Sequence, residues 1–168
     1  SVFYPLSMLM GEPETDVVLE DALLALKKAA RNDKIKGVYR EAAGLTATPA
    51  MAQELRQALV EFKKSGKWIV AYGDSYSKTD YYLSSVADSV LLNPEGVVDF
   101  SGMASQIMFF KDVLKKIGVN IQVFKVGTYK SAVEPFICTE MSPANREQVT
   151  SYLSSIWANM LKDVSDSR

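Results

Sequence analysis

The spacing of hydrophobic residues changes repeatedly along the chain, and each change predicts a new element of secondary structure. From Asp16 to Ala30, apolar residues recur every three to four positions, which predicts an amphipathic helix. A short β-prone run, Ile35 to Tyr39, comes next and predicts a strand. Beyond the loop Gly44 to Pro49, a second helical stripe begins, with its buried positions at Ala52, Leu55, Leu59 and Phe62.

The middle of the chain continues the alternation of strands and helices. The unbroken apolar run Trp68 to Tyr72 is typical of a strand covered on both faces. A helix over Tyr81 to Ala87 and a strand over Ser89 to Leu92 follow. The sequence Asn93 to Gly96 then predicts a turn into a further extended run, Val97 to Phe100.

The last third of the chain predicts two helices and one strand. A helical stripe runs from Ile107 to Ile117 and ends at Gly118, and a strand is expected over Asn120 to Val126. A long closing helix begins after Ser142, where a proline occupies a first-turn position. This alternation predicts an α/β fold with a parallel sheet and flanking helices, in a single domain over residues 1–168.

Composition excludes several classes of chemistry and partner. The net charge of -1, from 19 basic and 20 acidic residues, provides no basic surface for nucleic acid. There is no histidine, and Cys138 is the only cysteine, so intrachain disulfides, histidine-based triads and His-Cys zinc sites are excluded. Acid-base chemistry must therefore use lysine, carboxylates or tyrosine. We expect no metal and no cofactor. We also expect a soluble chain, because no apolar run approaches the roughly 20 residues that span a bilayer.

Lys130 is the strongest candidate for chemistry, since it follows a predicted strand end and a glycine. A lysine acts as a general base only when neutral, which requires its pKa to fall from about 10.4 through burial or a nearby cation. Apolar neighbours that could provide this setting are Tyr129, Ala132, Val133 and Phe136. Spacing alone favours the other interpretation, in which Lys130 is one more lysine on the protein surface.

Two linked segments carry a resemblance to a known family. Val126 to Phe136 resembles the lysine segment of the signal peptide peptidase A (SppA) family, peptidase family S49, and Met141 to Glu147 resembles the segment that follows it in the long form. The similarity extends upstream through short motifs at 36–39, 65–67, 81–83, 93–96 and 101–103. The chain is therefore identified as similar to the N-terminal, lysine-bearing half of that long form, and as a fragment of a longer two-repeat peptidase.

The resemblance implies a ClpP/crotonase-like α/β fold and a serine peptidase with a Ser-Lys dyad. It implies that Lys130 is the general base, and that the nucleophilic serine belongs to the C-terminal half of the same chain. It also implies peptide substrates, namely cleaved signal peptides, and a homo-oligomer at the periplasmic face of the bacterial inner membrane.

Ser101 is an alternative nucleophile. The first-half counterpart of the family's nucleophile loop falls near Phe100-Ser101-Gly102, which leaves open a self-contained pair of Ser101 and Lys130. The other interpretation, which we favour, is that Ser101 is a turn residue or the N-cap of a helix over Met103 to Ile117.

Other polar residues are expected to have no catalytic role. Ala43 to Ala47 occupies the place of the family's glycine-rich oxyanion loop but retains only Gly44, which indicates an ordinary turn. Ser131 is expected at most to support its neighbour Lys130. Five carboxylates lack any metal-ligand spacing and are expected to be solvated surface groups: Asp74, Asp80, Asp88, Asp99 and Glu134.

Two other functions remain open. The chain could be a catalytically silent scaffold whose role is assembly of the oligomer. It could also be a crotonase-like acyl-CoA enzyme, although the segment around Lys130 argues against that alternative.

Overall fold

The computed structural model describes residues 19–123 and 131–168, and the chain divides into two compact units, residues 1–100 and 101–168. A single domain over the whole chain stays a prediction. The first unit contains α1 (Leu19–Arg31), β1 (Gly37–Ala42), α2 (Pro49–Lys63), β2 (Trp68–Tyr76), α3 (Lys78–Ser84) and β3 (Ser89–Val98). The second contains α4 (Lys111–Lys116), a 3-10 turn (Ser131–Val133), α5 (Glu134–Ile137) and α6 (Pro143–Ser165).

The first unit is built on a parallel sheet in the order β1-β2-β3. Gly37 pairs with Trp68 at the start of the first ladder, and Val70 pairs with Ser89 at the start of the second. Because all three strands are parallel, each connection between them crosses over through a helix. The predicted α/β class with a parallel sheet and flanking helices is confirmed.

One face of this sheet forms the core of the first unit. Ile69 and Ala71 of β2 are buried, as are Leu83, Val86 and Ala87 in and after α3, which packs against all three strands. On the opposite face exposure is high, with Trp68 48% and Tyr39 59% exposed. The prediction that residues 68–72 are covered on both faces is therefore wrong for this structure, because exposure alternates along β2.

Helix starts follow the capping residues in the sequence. Thr48 caps α2, where its side chain accepts a hydrogen bond from the Met51 N–H, and a proline takes the first turn. Ser77 caps α3 and Ser142 caps α6 in the same manner. The predicted loop before α2 and the predicted start of the closing helix are thus confirmed.

Strand β3 differs from its prediction because it continues through Asn93 to Gly96, where a turn was expected. Leu92 pairs with Gly73 and Val97 with Ser75, so four residues of β3 lie opposite the single residue Asp74. The Asp74 carboxylate accepts hydrogen bonds from Asn93 Nδ2 and the Tyr72 hydroxyl, each at 2.9 Å. These bonds lower the pKa of Asp74 and tie the extra residues to the neighbouring strand. The turn sequence is therefore a large bulge within a strand.

The second unit departs further from prediction. The helix expected from Ile107 begins only at Lys111, and residues 101–110 have no regular structure. Phe110 is the N-cap residue of α4. Its N–H donates to the Pro135 carbonyl in α5 at 2.6 Å, so this N–H is not available for a hydrogen bond within a helix that starts at Ile107. Gly118, at φ +77°, follows the last turn as predicted. Residues 120–123 are not in a strand, and the rest of the strand expected over Asn120 to Val126 lies outside the described residues.

Arg56 lies outside the predicted apolar stripe of α2, yet it is only 4% exposed. Its Nη1 donates to the Tyr82 carbonyl at 2.6 Å and to the Ser85 hydroxyl at 2.8 Å. The guanidinium lies 4.8 Å from the centre of the Tyr82 ring, a cation-π distance. Arg56 therefore joins α2 to the end of α3, and the buried side of α2 contains this cation where Leu55 was expected.

We expect Arg56→Met to lower the free energy of unfolding by about 2 kcal/mol, because methionine fills similar space but donates no hydrogen bond to the buried partners. Urea unfolding followed by circular dichroism measures the change. Arg31→Met, the same substitution at an exposed position of α1, is the control and should change stability by less than about 0.5 kcal/mol. Equal effects of the two substitutions would contradict a structural role for Arg56.

Candidate functional site

The carboxyl ends of β1 and β2 meet at one edge of the sheet, and a polar cluster forms there. Arg40 lies in the second half of β1, while Ser77 and Asp80 follow β2 directly. In open α/β folds this edge is the usual place for binding and catalytic groups. The cluster is therefore the first candidate for a functional region in the first unit.

Asp80 is the centre of this cluster and is fully buried. Its Oδ1 accepts from Arg40 Nη2 at 2.7 Å, and its Oδ2 accepts from the Ser77 hydroxyl at 2.6 Å. Arg40 also donates from Nη1 to the Ser84 hydroxyl at 2.7 Å. These bonds join β1, Ser77 and α3 around one carboxylate.

Burial and hydrogen bonding act on the Asp80 carboxyl in opposite directions. Burial by itself would raise the pKa of Asp80, since it removes water from the charged form. The hydrogen bonds from Ser77 and Arg40, the positive charge of Arg40 and the Leu45 N–H together outweigh burial and lower the pKa. Asp80 is therefore a structural anion that joins α3 to β1 through Arg40, and not a carboxyl suited to proton transfer near neutral pH.

The prediction that five carboxylates are solvated is wrong for two of them. Asp74, Asp88 and Asp99 are exposed, whereas Asp80 is fully buried and Glu134 is 3% exposed. For Asp80 the sequence contained a usable signal, because Ser77-Lys78-Thr79-Asp80 has the spacing of a capping box. That spacing predicts a helix start at which the acidic side chain turns back toward the capping serine.

A second polar cluster, in the second unit, is centred on the Glu134 carboxylate. Glu134 Oε1 accepts from the Ser142 hydroxyl at 2.6 Å. Its Oε2 accepts from Asn145 Nδ2 at 2.8 Å and from the Ser142 N–H at 3.2 Å. The Asn145 side chain is buried too, and the Asn145 N–H donates to the Ser142 hydroxyl at 3.2 Å.

This cluster joins the two segments that carried the family resemblance. Glu134 belongs to the segment Val126 to Phe136, while Ser142 and Asn145 belong to Met141 to Glu147. A weaker contact of 3.4 Å between the Ser131 hydroxyl and Gln148 Oε1 lies beside it. The two segments are therefore in contact in the structure, held together by hydrogen bonds between buried polar groups. This contact is a physical reason for the two motifs to occur together in one sequence.

The sequence offered Lys130 as the general base and Ser101 as an alternative, less favoured nucleophile. Lys130 lies outside the described residues, which resume at Ser131. Ser101 is exposed and is not a helix N-cap, because α4 begins ten residues later. The ring of Phe100, one residue before, packs edge-on against Tyr81 at 5.1 Å. A pairing of Ser101 with Lys130 stays a prediction.

Within residues 19–123 and 131–168, no three His, Cys, Asp or Glu side chains come together in a group that could hold a metal ion. Among the helices in those ranges, none combines the length and the apolar character needed to cross a bilayer.

The fold and these two clusters define an α/β protein with a parallel sheet and buried carboxylates at helix starts. Residues 61–168 match peptidase family S49. The chain is 41% identical over 152 residues to "Protease 4" of Salmonella typhi, covering 89% of this chain and 24% of that protein. It is 39% identical over 153 residues to "Protease 4" of Haemophilus influenzae, covering 88% of this chain and 24% of that protein.

A third relative is the chloroplastic serine protease SPPA of Arabidopsis thaliana, 33% identical over 139 residues, with 83% of this chain and 20% of that protein covered. The chain belongs to peptidase family S49. The predicted family is thereby confirmed, and the observed parallel sheet is consistent with the ClpP-like fold expected of it. The chain spans about a quarter of the length of the bacterial relatives it matches.

Because its folded-state pKa is lowered, Asp80 stabilises the fold above its unfolded pKa of about 3.9, and this contribution is lost as the pH falls through the lower folded value. We expect Asp80→Asn to cost about 3 kcal/mol above pH 5, since it leaves Arg40 without its counter-ion. The difference from the wild type should shrink below about pH 4.

Chemical unfolding of both proteins between pH 3 and pH 7 measures this dependence. Asp33→Asn, at an exposed loop position, is the matched control and should change stability by less than about 0.5 kcal/mol. A cost of Asp80→Asn that stays constant down to pH 3 would show that the charge of Asp80 does not stabilise the fold.

Proposed function

We propose that this chain is the base-bearing part of a longer serine peptidase, with Lys130 as the general base of a Ser-Lys dyad. The observation that carries the proposal is the match to peptidase family S49 over residues 61–168, a range that includes Lys130. The bacterial and plant relatives support it, since their names describe proteases and a serine protease. The nucleophilic serine is then supplied by the C-terminal half of the same polypeptide.

The proposed chemistry needs a neutral lysine beside the serine hydroxyl. Lys130 takes the hydroxyl proton as the serine oxygen attacks the peptide carbonyl, and backbone N–H groups stabilise the resulting oxyanion. The lysine then returns the proton to the leaving amine, and water hydrolyses the acyl-enzyme by the same route. We propose cleaved signal peptides as substrates, on the resemblance to the SppA family, and a homo-oligomer at the periplasmic face of the inner membrane as the setting.

In the longer protein, we expect Lys130→Ala to reduce peptide turnover by roughly 10²- to 10⁴-fold, the usual contribution of a general base. Lys130→Arg should not restore activity, because arginine stays protonated at any working pH. In the wild type, turnover should rise with pH until the lysine is neutral. Hydrolysis of a fluorogenic peptide as a function of pH provides these measurements.

Lys115→Ala serves as the matched control, since Lys115 is an exposed lysine of α4 and should be replaceable without loss of turnover. Near wild-type turnover of the Lys130→Arg protein would show that Lys130 is not the base. The silent scaffold would then be the better interpretation of this chain.

The isolated chain separates the two possible sources of the nucleophile. We expect a fluorophosphonate probe, which reacts covalently with activated serines, to leave the isolated chain unlabelled, because the proposed nucleophile lies in the other half. Labelling that disappears in Ser101→Ala would instead establish the self-contained pair of Ser101 and Lys130.

A further inference from the structure

The proposed mechanism assigns no role to the buried carboxylate of Glu134. Placing a carboxylate away from water is costly unless hydrogen bonds or opposite charge compensate for it. Here both oxygens accept hydrogen bonds from groups at the start of α6. The positive end of the dipole of this 23-residue helix also favours a negative charge at that point.

Capping of α6 does not explain the carboxylate. Ser142 already occupies the N-cap, and its hydroxyl accepts from the Asn145 N–H. A proline follows directly, so the first turn of α6 has the residues that a helix start requires. What Glu134 adds is an attachment of a different segment, residues 131–137, to this helix start.

That segment is held from a second side as well. The Pro135 carbonyl accepts from the Phe110 N–H at 2.6 Å, and the rings of Phe110 and Phe136 stack with their centres 6.2 Å apart. The residues that come directly after Lys130 in the sequence are therefore attached both to α6 and to the start of α4. Only three residues lie between Lys130 and Glu134, so a shift of this segment would also shift the point where the chain reaches Lys130.

We propose that Glu134 is a positioning residue for the base: by fixing residues 131–137 to the start of α6, it sets where the chain presents Lys130. This inference rests on the proposed function of Lys130. Its physical basis is the steep dependence of proton transfer and attack on geometry, where a misplacement of about 1 Å costs roughly 100-fold in rate.

The test uses the longer protein and follows covalent labelling by a fluorophosphonate over time, which reports two quantities. The amplitude counts the folded, competent sites, and the rate constant measures how well the base activates the serine in each site. For Glu134→Ala we expect the rate constant to fall about 100-fold at nearly full amplitude. Peptide turnover should show the same fall in kcat, with KM changed less than about threefold.

Two milder variants keep the test decisive if Glu134→Ala does not fold. Glu134→Gln should restore most of the rate constant, because the amide oxygen can accept from the Ser142 N–H and Asn145 while its Nε2 donates to the Ser142 hydroxyl. Asn145→Ala removes the hydrogen bond from Asn145 Nδ2 to Glu134 and leaves the Ser142 cap in place, so a smaller fall of about tenfold is expected. Glu147→Ala, at an exposed carboxylate of the same helix, is the control and should label like the wild type.

The inference is overturned if the Glu134 and Asn145 variants lose only amplitude while each labelled site reacts at the wild-type rate, because Glu134 would then support folding alone. It is also overturned if these variants label normally while Lys130→Ala is inactive, and in that case the proposed function stands. Retention of activity in Lys130→Ala overturns both, and so distinguishes the failure of the function from the failure of the positioning role.

Discussion

The ion pair between Arg40 and Asp80 is the interaction on which the first unit depends. It fastens α3 to β1, with the Asp80 side chain 1% and the Arg40 side chain 14% exposed, and at such a shielded position either charge alone would cost several kcal/mol. Arg56 approaches the same short helix from α2 and donates to the Tyr82 carbonyl and to the hydroxyl of Ser85, which follows the helix. Since α3 packs on all three strands, these two arginines attach both β1 and α2 to the helix that covers the sheet.

In the second unit, too, a buried carboxylate accepts hydrogen bonds at the start of a helix. Glu134 holds the start of α6, a helix of 23 residues, and its oxygens are matched with donors just as those of Asp80 are. The chain contains no histidine, and the general base that we propose for the peptidase is a lysine, Lys130.

The sequence was sufficient for elements whose apolar spacing and capping residues agree. Helices α2 and α6 fall in this group, because their periodicity is long and Thr48 or Ser142 marks their start, while α1 follows from its periodicity alone and β2 from its apolar run after Gly66. The sequence was insufficient where a tertiary contact overrides local preference, as at Phe110, whose hydrogen bond to Pro135 accompanies the late start of α4, and at Asn93 to Gly96, which form a bulge and not a turn. The polar core was missed because hydrophobic patterning treats Arg56, Asp80 and Glu134 as surface residues, and because Arg56 and Asp80 bind partners 26 to 40 residues away. Lys130 was found by motif similarity and not by spacing.

The bulge in β3 has a consequence for how proteins with this sheet can vary in length. Leu92 and Val97 keep their partners on either side of it, so the pairing of each half of the strand is set independently of the residues between them. An insertion or deletion at 94–95 would alter the size of the bulge without sliding either half of the strand, and no apolar side chain would change faces. This part of the sheet edge is therefore a site where evolution can lengthen or shorten the chain near the carboxyl ends of the strands while the core stays intact.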